Sequence, residues 1–425
     1  MTMFGSQWLA NAGASYEIDQ SIRFNDNDAA YMSRTSATPT STTIFTISLW
    51  FKRSLLTSGY PTLINEYSGN SDAAYLIMRL QPDDTINVSG YATNWRTTTR
   101  VFRDPSAWYH FVLAVDTNQG TAANRIKLYI NGVEETSFSA NSNPGSGTTL
   151  GFNTGGAQNI GRINPSIGGT NYFDGYMAEF NFIDGLALAP TSFGETNDDG
   201  VWIAKAYDAA YGDNGFYITG EDSSDLGEDF SGNNNDFSSS GLAANDQVVD
   251  TPTDNYATLT SLIPVPSGTI SNGNLDYTRG STAAHGSVGS SFTLPTTGKW
   301  YWEVTAAATG GNNEAIGVAN IFNNPQLPAA GAEIGSRAGD FIYRSSAAKV
   351  SGGTSASYGA TFTSGDIIGV AWNSDDGEIT FFKNNSTQGV AYSSISQEAG
   401  KYVPADSQAQ TGVTVFNFGQ SGFEY

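Results

Sequence analysis

The sequence predicts an all-β chain built as two tandem antiparallel β-sandwiches. One strand–turn–strand phrase occurs twice, as RIKLYINGVEETSF at Arg125–Phe138 and as GEITFFKNNSTQGV at Gly377–Val390. In each copy apolar and polar residues alternate, and an Asn-Gly or Asn-Asn pair then turns the chain. A further strand precedes each copy, WYHFVLAVD before the first and GDIIGVAWN before the second. The composition agrees: 48 glycines and 12% aromatics with only 14% charged residues supply turns and core material. Disordered chains have few aromatics and dense charge, and long-helix proteins have few turn formers. A length of 425 residues suits two cores better than one.

The strands follow in order. Residues 1–15 form a short Gly/Ala-rich segment whose Phe4, Trp8 and Leu9 suit docking on a partner or on the chain's own first domain. A first domain is expected over 16–243. In TIFTISLWFKRS, Phe45, Ile47, Leu49 and Phe51 share one face, and Thr46, Ser48, Trp50 and Lys52 share the other. AYLIMRLQPDDTINVSGYAT reads as a hairpin about Pro82-Asp83-Asp84. WYHFVLAVDTNQGTAANRIKLYINGVEETSF supplies three strands, and FDGYMAEFNFIDGLAL supplies another. A short helix is expected near 197–211, capped by Asn197 or Asp198, with Trp202 and Ala206 facing the core. The polar stretch 244–271, with Pro252, Pro264 and Pro266, reads as a linker, and 272–425 as the second sandwich.

The first stretch resembles the concanavalin A-like jelly rolls of the laminin G and pentraxin group. The resemblance rests on Phe45–Phe51, Trp108–Asp116, Ile126–Gly132 and Phe173–Asp184. The second stretch resembles SPRY domains. GKWYWEV, EAIGVAN, GDIIGVAWNSDDGEITFFKNN, YVPA and VTVFNFGQ occur in that family's order between Gly298 and Gln420. That resemblance implies a sandwich that binds protein partners through loops at one end, here around 320–332 and 343–357.

The net charge of −22, from 41 acidic against 19 basic residues, repels phosphate backbones and anionic membranes, so no nucleic-acid partner is expected. No cysteine is present, which removes disulfides, thiol chemistry and Cys-based zinc sites. No apolar run approaches the ~20 residues of a membrane helix, so membrane insertion is not expected. MTMFGSQWLANAGASY lacks the basic and apolar regions of a Sec signal.

Candidate chemistry is sparse. Glu17-Ile18-Asp19-Gln20 resembles part of the Glu-x-Asp-x-x-Glu strand of laminarinase-like glycosidases, but the third acid is missing. His110 and His285 are the two histidines, and His110 reads as lying on a wet strand face. Calcium is the one cofactor considered, through rim-loop oxygens at Asp116, Asn118, Asp225 and Asp229, with Asp222, Asn233 and Asp236 nearby. For a sugar, Tyr91, Asn94, Trp95 and Arg96 offer aromatic rings with amide and guanidinium neighbours, the alternative being that Trp95 closes one end of the core. No nucleophile elbow or phosphate loop occurs.

Two binding-type sandwiches without a reaction centre predict a non-enzymatic protein. FGSQWLANAG, VFRDPSAWYHFVLAVDT and TPTDNYATL are similar to stretches of structural proteins of tailed phages, marine ones especially. That resemblance implies a virion surface protein (fibre, decoration or receptor-binding) made in the host cytoplasm. Its partners would be other capsid or tail proteins and a host surface glycan or protein. Such appendages are commonly trimeric, and a homo-oligomer is expected, although no coiled-coil heptad accompanies it. A secreted adhesin or lectin and a polysaccharide-degrading enzyme are the alternatives.

Overall fold

The computed structural model describes residues 16–56, 59–169, 171–263, 268–279, 285–307, 314–321 and 332–425. The expected docking segment with Phe4, Trp8 and Leu9 lies outside them, as does most of the 320–332 loop. The chain is all-β and divides after Asn255 into two compact units.

In the first unit, one sheet runs Val133–Glu134, Ile126–Ile130, Trp108–Asp116, Ile44–Arg53, Gly175–Asp184, Ser21–Phe24 and Gln247–Val248. The short strand Phe216–Ile218 also pairs with Gly175–Asp184. The facing sheet runs Phe138–Asn141, Asn94–Val101, Thr85–Ser89, Tyr75–Leu80, Thr62–Tyr67, Ala157–Ile160, Tyr31–Thr35 and Ser238–Ser240. All pairings are antiparallel. Phe45, Ile47, Leu49 and Phe51 enter the core between the sheets, as alternation predicts. Asn131 and Gly132 have φ of 49° and 77°, the two positive angles of a type I′ hairpin.

The other face of that first sheet is not wet. Trp50, Trp108, Tyr176 and Ala178 pack under Ile18, Ala204 and Val248. Lys52 is fully buried there, with Nζ 2.8 Å from Asp250 and 2.9 Å from Asn255 Oδ1. Two expectations are corrected by this cover. The expected helix near 197–211 is instead a hairpin of Gly194–Thr196 with Trp202–Ala204. Asn197 Oδ1 accepts from the amides of Asp199 and Val201, and Gly200 takes φ of 80°. An Asn side chain that caps a helix serves a tight turn equally well. The expected 244–271 linker is likewise built into the units. Asp246 pairs with buried Arg23 at 3.0 Å, Gln247–Val248 joins the edge of Ser21–Phe24, and Ala257 and Leu259 lie in the second core.

The second unit is a sandwich of a seven-stranded and a six-stranded sheet. The first runs Gly268–Ser271, Asp276–Arg279, Gly412–Asn417, Lys299–Thr305, Ile367–Asn373, Glu378–Lys383 and Ser386–Tyr392. The second runs Gly286–Gly289, Tyr402–Gln408, Glu314–Asn320, Phe341–Arg344, Ala348–Ser351 and Thr354–Ser357. Trp302, Val304 and Trp372 fill the core. Asn384 and Asn385, at φ of 45° and 64°, make the second type I′ turn.

Candidate functional site

The strand Gly175–Asp184 is buried along its whole length and carries a single glutamate, Glu179. Its edge changes partner midway. Ser21–Phe24 pairs with Gly175–Met177, and Phe216–Ile218 pairs with Phe180–Phe182. At that seam the strand bulges, its register with Ile44–Arg53 slipping between Ala178 and Asn181. Glu179 takes φ of 51°, a left-handed angle that costs a non-glycine residue on the order of 1 kcal/mol or more. Asn181 Nδ2 donates to the Glu179 carbonyl at 2.9 Å, and Tyr211 OH donates to Asn181 Oδ1 at 3.0 Å.

The bulge aims the carboxyl at two phenols. Tyr16 OH lies 3.0 Å from Glu179 Oε2, and Tyr217 OH lies 2.7 Å from Oε1. The two phenol oxygens lie 2.9 Å apart. Burial pushes the Glu179 carboxyl up to about 6, against the lowering effect of the two phenols. Burial first, and then the Glu179 charge, pushes both phenols upward.

Above this trio opens a cleft of about 240 Å³. It is lined by the strap Tyr16–Gln20 and by Tyr217, Thr219, Glu221 and Phe230. Phe230 is 38% exposed. Glu17 and Asp19, the remnant of the glycosidase-like pattern, therefore reach the same cleft as Glu179. The strap is held by Ile18, buried under the sheet, whose amide donates to Thr253 Oγ1 at 3.0 Å.

A second, wider groove lies at one end of the same sandwich. It is lined by Ser36, Thr38, Thr42, Ser68, Thr149 and Thr154. Buried Glu66 accepts from the amides of Asn153, Thr154 and Gly156 and from Gln158 Nε2, and buried Asp184 accepts from the amides of Thr40, Ser41 and Asn214. These two carboxylates fasten the loops that form the groove. Among the described residues, no aromatic ring lines it.

The residues expected at the sugar site do not converge. Tyr91 is exposed and Asn94 begins a strand at the surface. Trp95 packs in the core, and Arg96 is buried, donating to the carbonyls of Ile126 and Ser142 and to Asn143 Oδ1. Asp72 from another hairpin accepts from the amides of Ala92 and Thr93 and ties the turn there, so the strand already begins at Asn94. Strand alternation then sends Trp95 inward.

The calcium candidates make hydrogen bonds within the protein, to very different extents. Asp229 accepts from the amides of Tyr217, Ser231 and Asn235 and from Ser231 Oγ, which fills its four acceptor positions and makes it the clamp of the 229–236 loop. Asp225 accepts from the Gly227 amide, and Asp116 from the Asn118 amide and Gln119 Nε2, while the Asn118 side-chain amide donates to Thr43 Oγ1. Among the described residues no group of three or more acidic or histidine side chains is placed to hold a metal ion.

His110 is buried, not wet, and is stacked between Trp50 and Trp202. Its Nε2 lies 2.8 Å from Ser48 Oγ, a contact that resembles a nucleophile–base pair. Trp202 Nε1, which can only donate, lies 3.0 Å from His110 Nδ1. Nδ1 is therefore the acceptor and the ring proton sits on Nε2, so His110 cannot take a proton from Ser48. Burial holds its pKa down at about 3.

Residues 25–191 match the family model of the concanavalin A-like lectin/glucanases superfamily, and residues 299–421 match the SPRY domain model. The chain thus carries a concanavalin A-like domain followed by a SPRY domain. No curated protein matches it. Among solved structures it is similar to the SPRY domain of human HERC1, at 18% identity over 36% of this chain and 93% of that one, with a TM-score of 0.30. It is also similar to a heptameric SAP-like pentraxin from Limulus polyphemus, at 19% identity over 41% of this chain and 80% of that one, with a TM-score of 0.31.

Proposed function

We propose that this chain is a non-enzymatic surface protein that binds neutral glycans in the Phe230 cleft of its concanavalin A-like unit, with the SPRY unit as a second binding module. The composition of the cleft carries the reading. Phe230 offers a partly exposed aromatic ring on which the C–H face of a sugar can stack. Glu17, Asp19 and Glu221 are acceptors for hydroxyl donors, and Gln20 and Thr219 both donate and accept. With this acidic lining and a net charge of −22, uronic and sulfated sugars are repelled. The volume suits one sugar residue of a longer chain.

A glycan array of the full chain tests this. Neutral glycans are expected to bind, and Phe230→Ala and Asp19→Asn are expected to abolish binding while the thermal midpoint is kept. Selective capture of acidic glycans, or unchanged binding by both variants, would remove the proposal.

The setting we propose is the surface of a tailed-phage particle, reached through residues 1–15 with Phe4, Trp8 and Leu9 as anchors. The sequence resemblance of the N-terminal stretch supports it. Immunogold labelling of purified particles is expected to decorate capsid or tail, and unlabelled particles would exclude it.

One observation favours a second reading, a polysaccharide-degrading enzyme. Glu179, pushed up to about 6, shares a cleft with Glu17 and Asp19, and glycosidases pair a raised acid with a second carboxylate. Both Glu179 oxygens are already engaged by phenols, which argues for binding over catalysis. Release of reducing ends from a polysaccharide, lost in Glu179→Gln, would favour the enzyme.

A further inference from the structure

Tyr16, Glu179 and Tyr217 form a triangle of oxygen–oxygen contacts at 3.0, 2.7 and 2.9 Å. All three lie within hydrogen-bond range, so each needs one hydrogen. With Glu179 ionised, the two phenols supply two hydrogens, and the carboxylate attracts both. The phenol–phenol contact is then left with facing lone pairs and no hydrogen between them. With Glu179 protonated there are three hydrogens for three contacts, and each group donates once and accepts once around the ring. Only the protonated trio places a hydrogen in every one of the three contacts.

We propose that this triangle is a proton-dependent latch, fastening the strap Tyr16–Gln20 across the cleft when it holds three hydrogens and loosening it when one leaves. This extends the binding reading to the regulation of the same site, but the latch stands on the triangle alone.

The surroundings favour this behaviour. Among the described residues, the titratable groups placed against the trio are acids and phenols. The strap brings Glu17 and Asp19, the segment from Tyr217 onward brings Glu221 and Asp229, and the cover brings Tyr207 and Tyr211. No arginine or lysine pairs with Glu179 among the described residues. Burial and the neighbouring charge keep Tyr16 and Tyr217 protonated through the neutral range, so Glu179 is the member that titrates. Among the described residues, the strap has one further polar tie, from the Ile18 amide to Thr253. Loosening therefore frees the Tyr16 end, at the root of the 15 residues read as the docking segment, and widens one wall of the cleft.

Hydrogen exchange of the full chain, without any glycan and corrected for the intrinsic pH dependence of exchange, tests the latch. Protection of a peptide spanning residues 16–20 is expected to fall roughly tenfold between about pH 5 and about pH 7.5. In Glu179→Gln the amide supplies the third hydrogen at every pH, so protection is expected to stay high at both. If that variant does not fold, Tyr16→Phe serves, since a broken triangle gives low protection at both pH values. A parent strap equally protected at the two pH values, or a pH dependence retained in the folded variant, overturns the proposal. Because no glycan is present, a failed latch and a failed glycan site give separate results.

Discussion

Replacement of Glu179 by glutamine turns the buried acid into a stability measurement. The native carboxyl titrates at about 6 against an ordinary value of 4.5. The native state therefore holds more protons than the unfolded chain between those values, and stability falls as pH rises through that window. That difference corresponds to a penalty of about 2 kcal/mol, felt in full above the native value and absent below the unfolded one. Glutamine has the same shape and no charge. Relative to the parent, Glu179→Gln is expected to gain about 2 kcal/mol near pH 7.5 and close to nothing near pH 4. Denaturant unfolding followed by the fluorescence of Trp50, Trp108 and Trp202 reports the first unit, with its transition fitted separately from that of the second. Comparing variant with parent at each pH cancels the other titrating groups. An equal loss of stability at both pH values, or a gain confined to acid, would refute the reasoning.

Other outcomes follow from the same geometry. The His110 ring, held at about 3, is expected to show no titration by NMR between about pH 5 and about pH 8; it costs stability only as pH falls from the ordinary histidine value toward 3. Lys52→Met leaves Asp250 buried without its cation, and a loss of about 3–5 kcal/mol is expected by denaturant unfolding. Trp95→Ala is expected to cost about 3–5 kcal/mol through a core cavity, while Tyr91→Ala changes neither stability nor glycan binding. Calcium and a chelator are expected to give the same thermal midpoint, since Asp229 already spends its oxygens on its own loop.

The legible parts of the fold were those set by short-range geometry. Asn131-Gly132 and Asn384-Asn385 each had to adopt positive φ to turn between alternating strands, and both do. The core face of TIFTISLWFKRS was readable from period alone. Its other face was not, because the cover comes from residues 16–20, 194–204 and 247–255, which lie far from that strand in the chain and leave no mark on its period. Asn197 illustrates the ambiguity, since the same side-chain acceptor starts a helix or ties a turn. The site was hidden for a similar reason. Glu179 lies in FDGYMAEFNFID, where it is the one glutamate of a buried strand. That charge was the available signal. Its partners Tyr16 and Tyr217 come from distant parts of the chain, and no local pattern joins them. Glu17 and Asp19 were singled out as a broken catalytic motif, and they line one cleft together with Glu179 from another strand.

The central claim is that the Phe230 cleft holds the sugar. A crystal structure of the full chain with the strongest neutral ligand from the array tests it most directly. The account predicts a sugar ring against Phe230 with hydroxyls bonded to Glu17 and Asp19. A sugar seated instead among Thr38, Thr42 and Thr149 in the end groove, or on the SPRY unit alone, would contradict it.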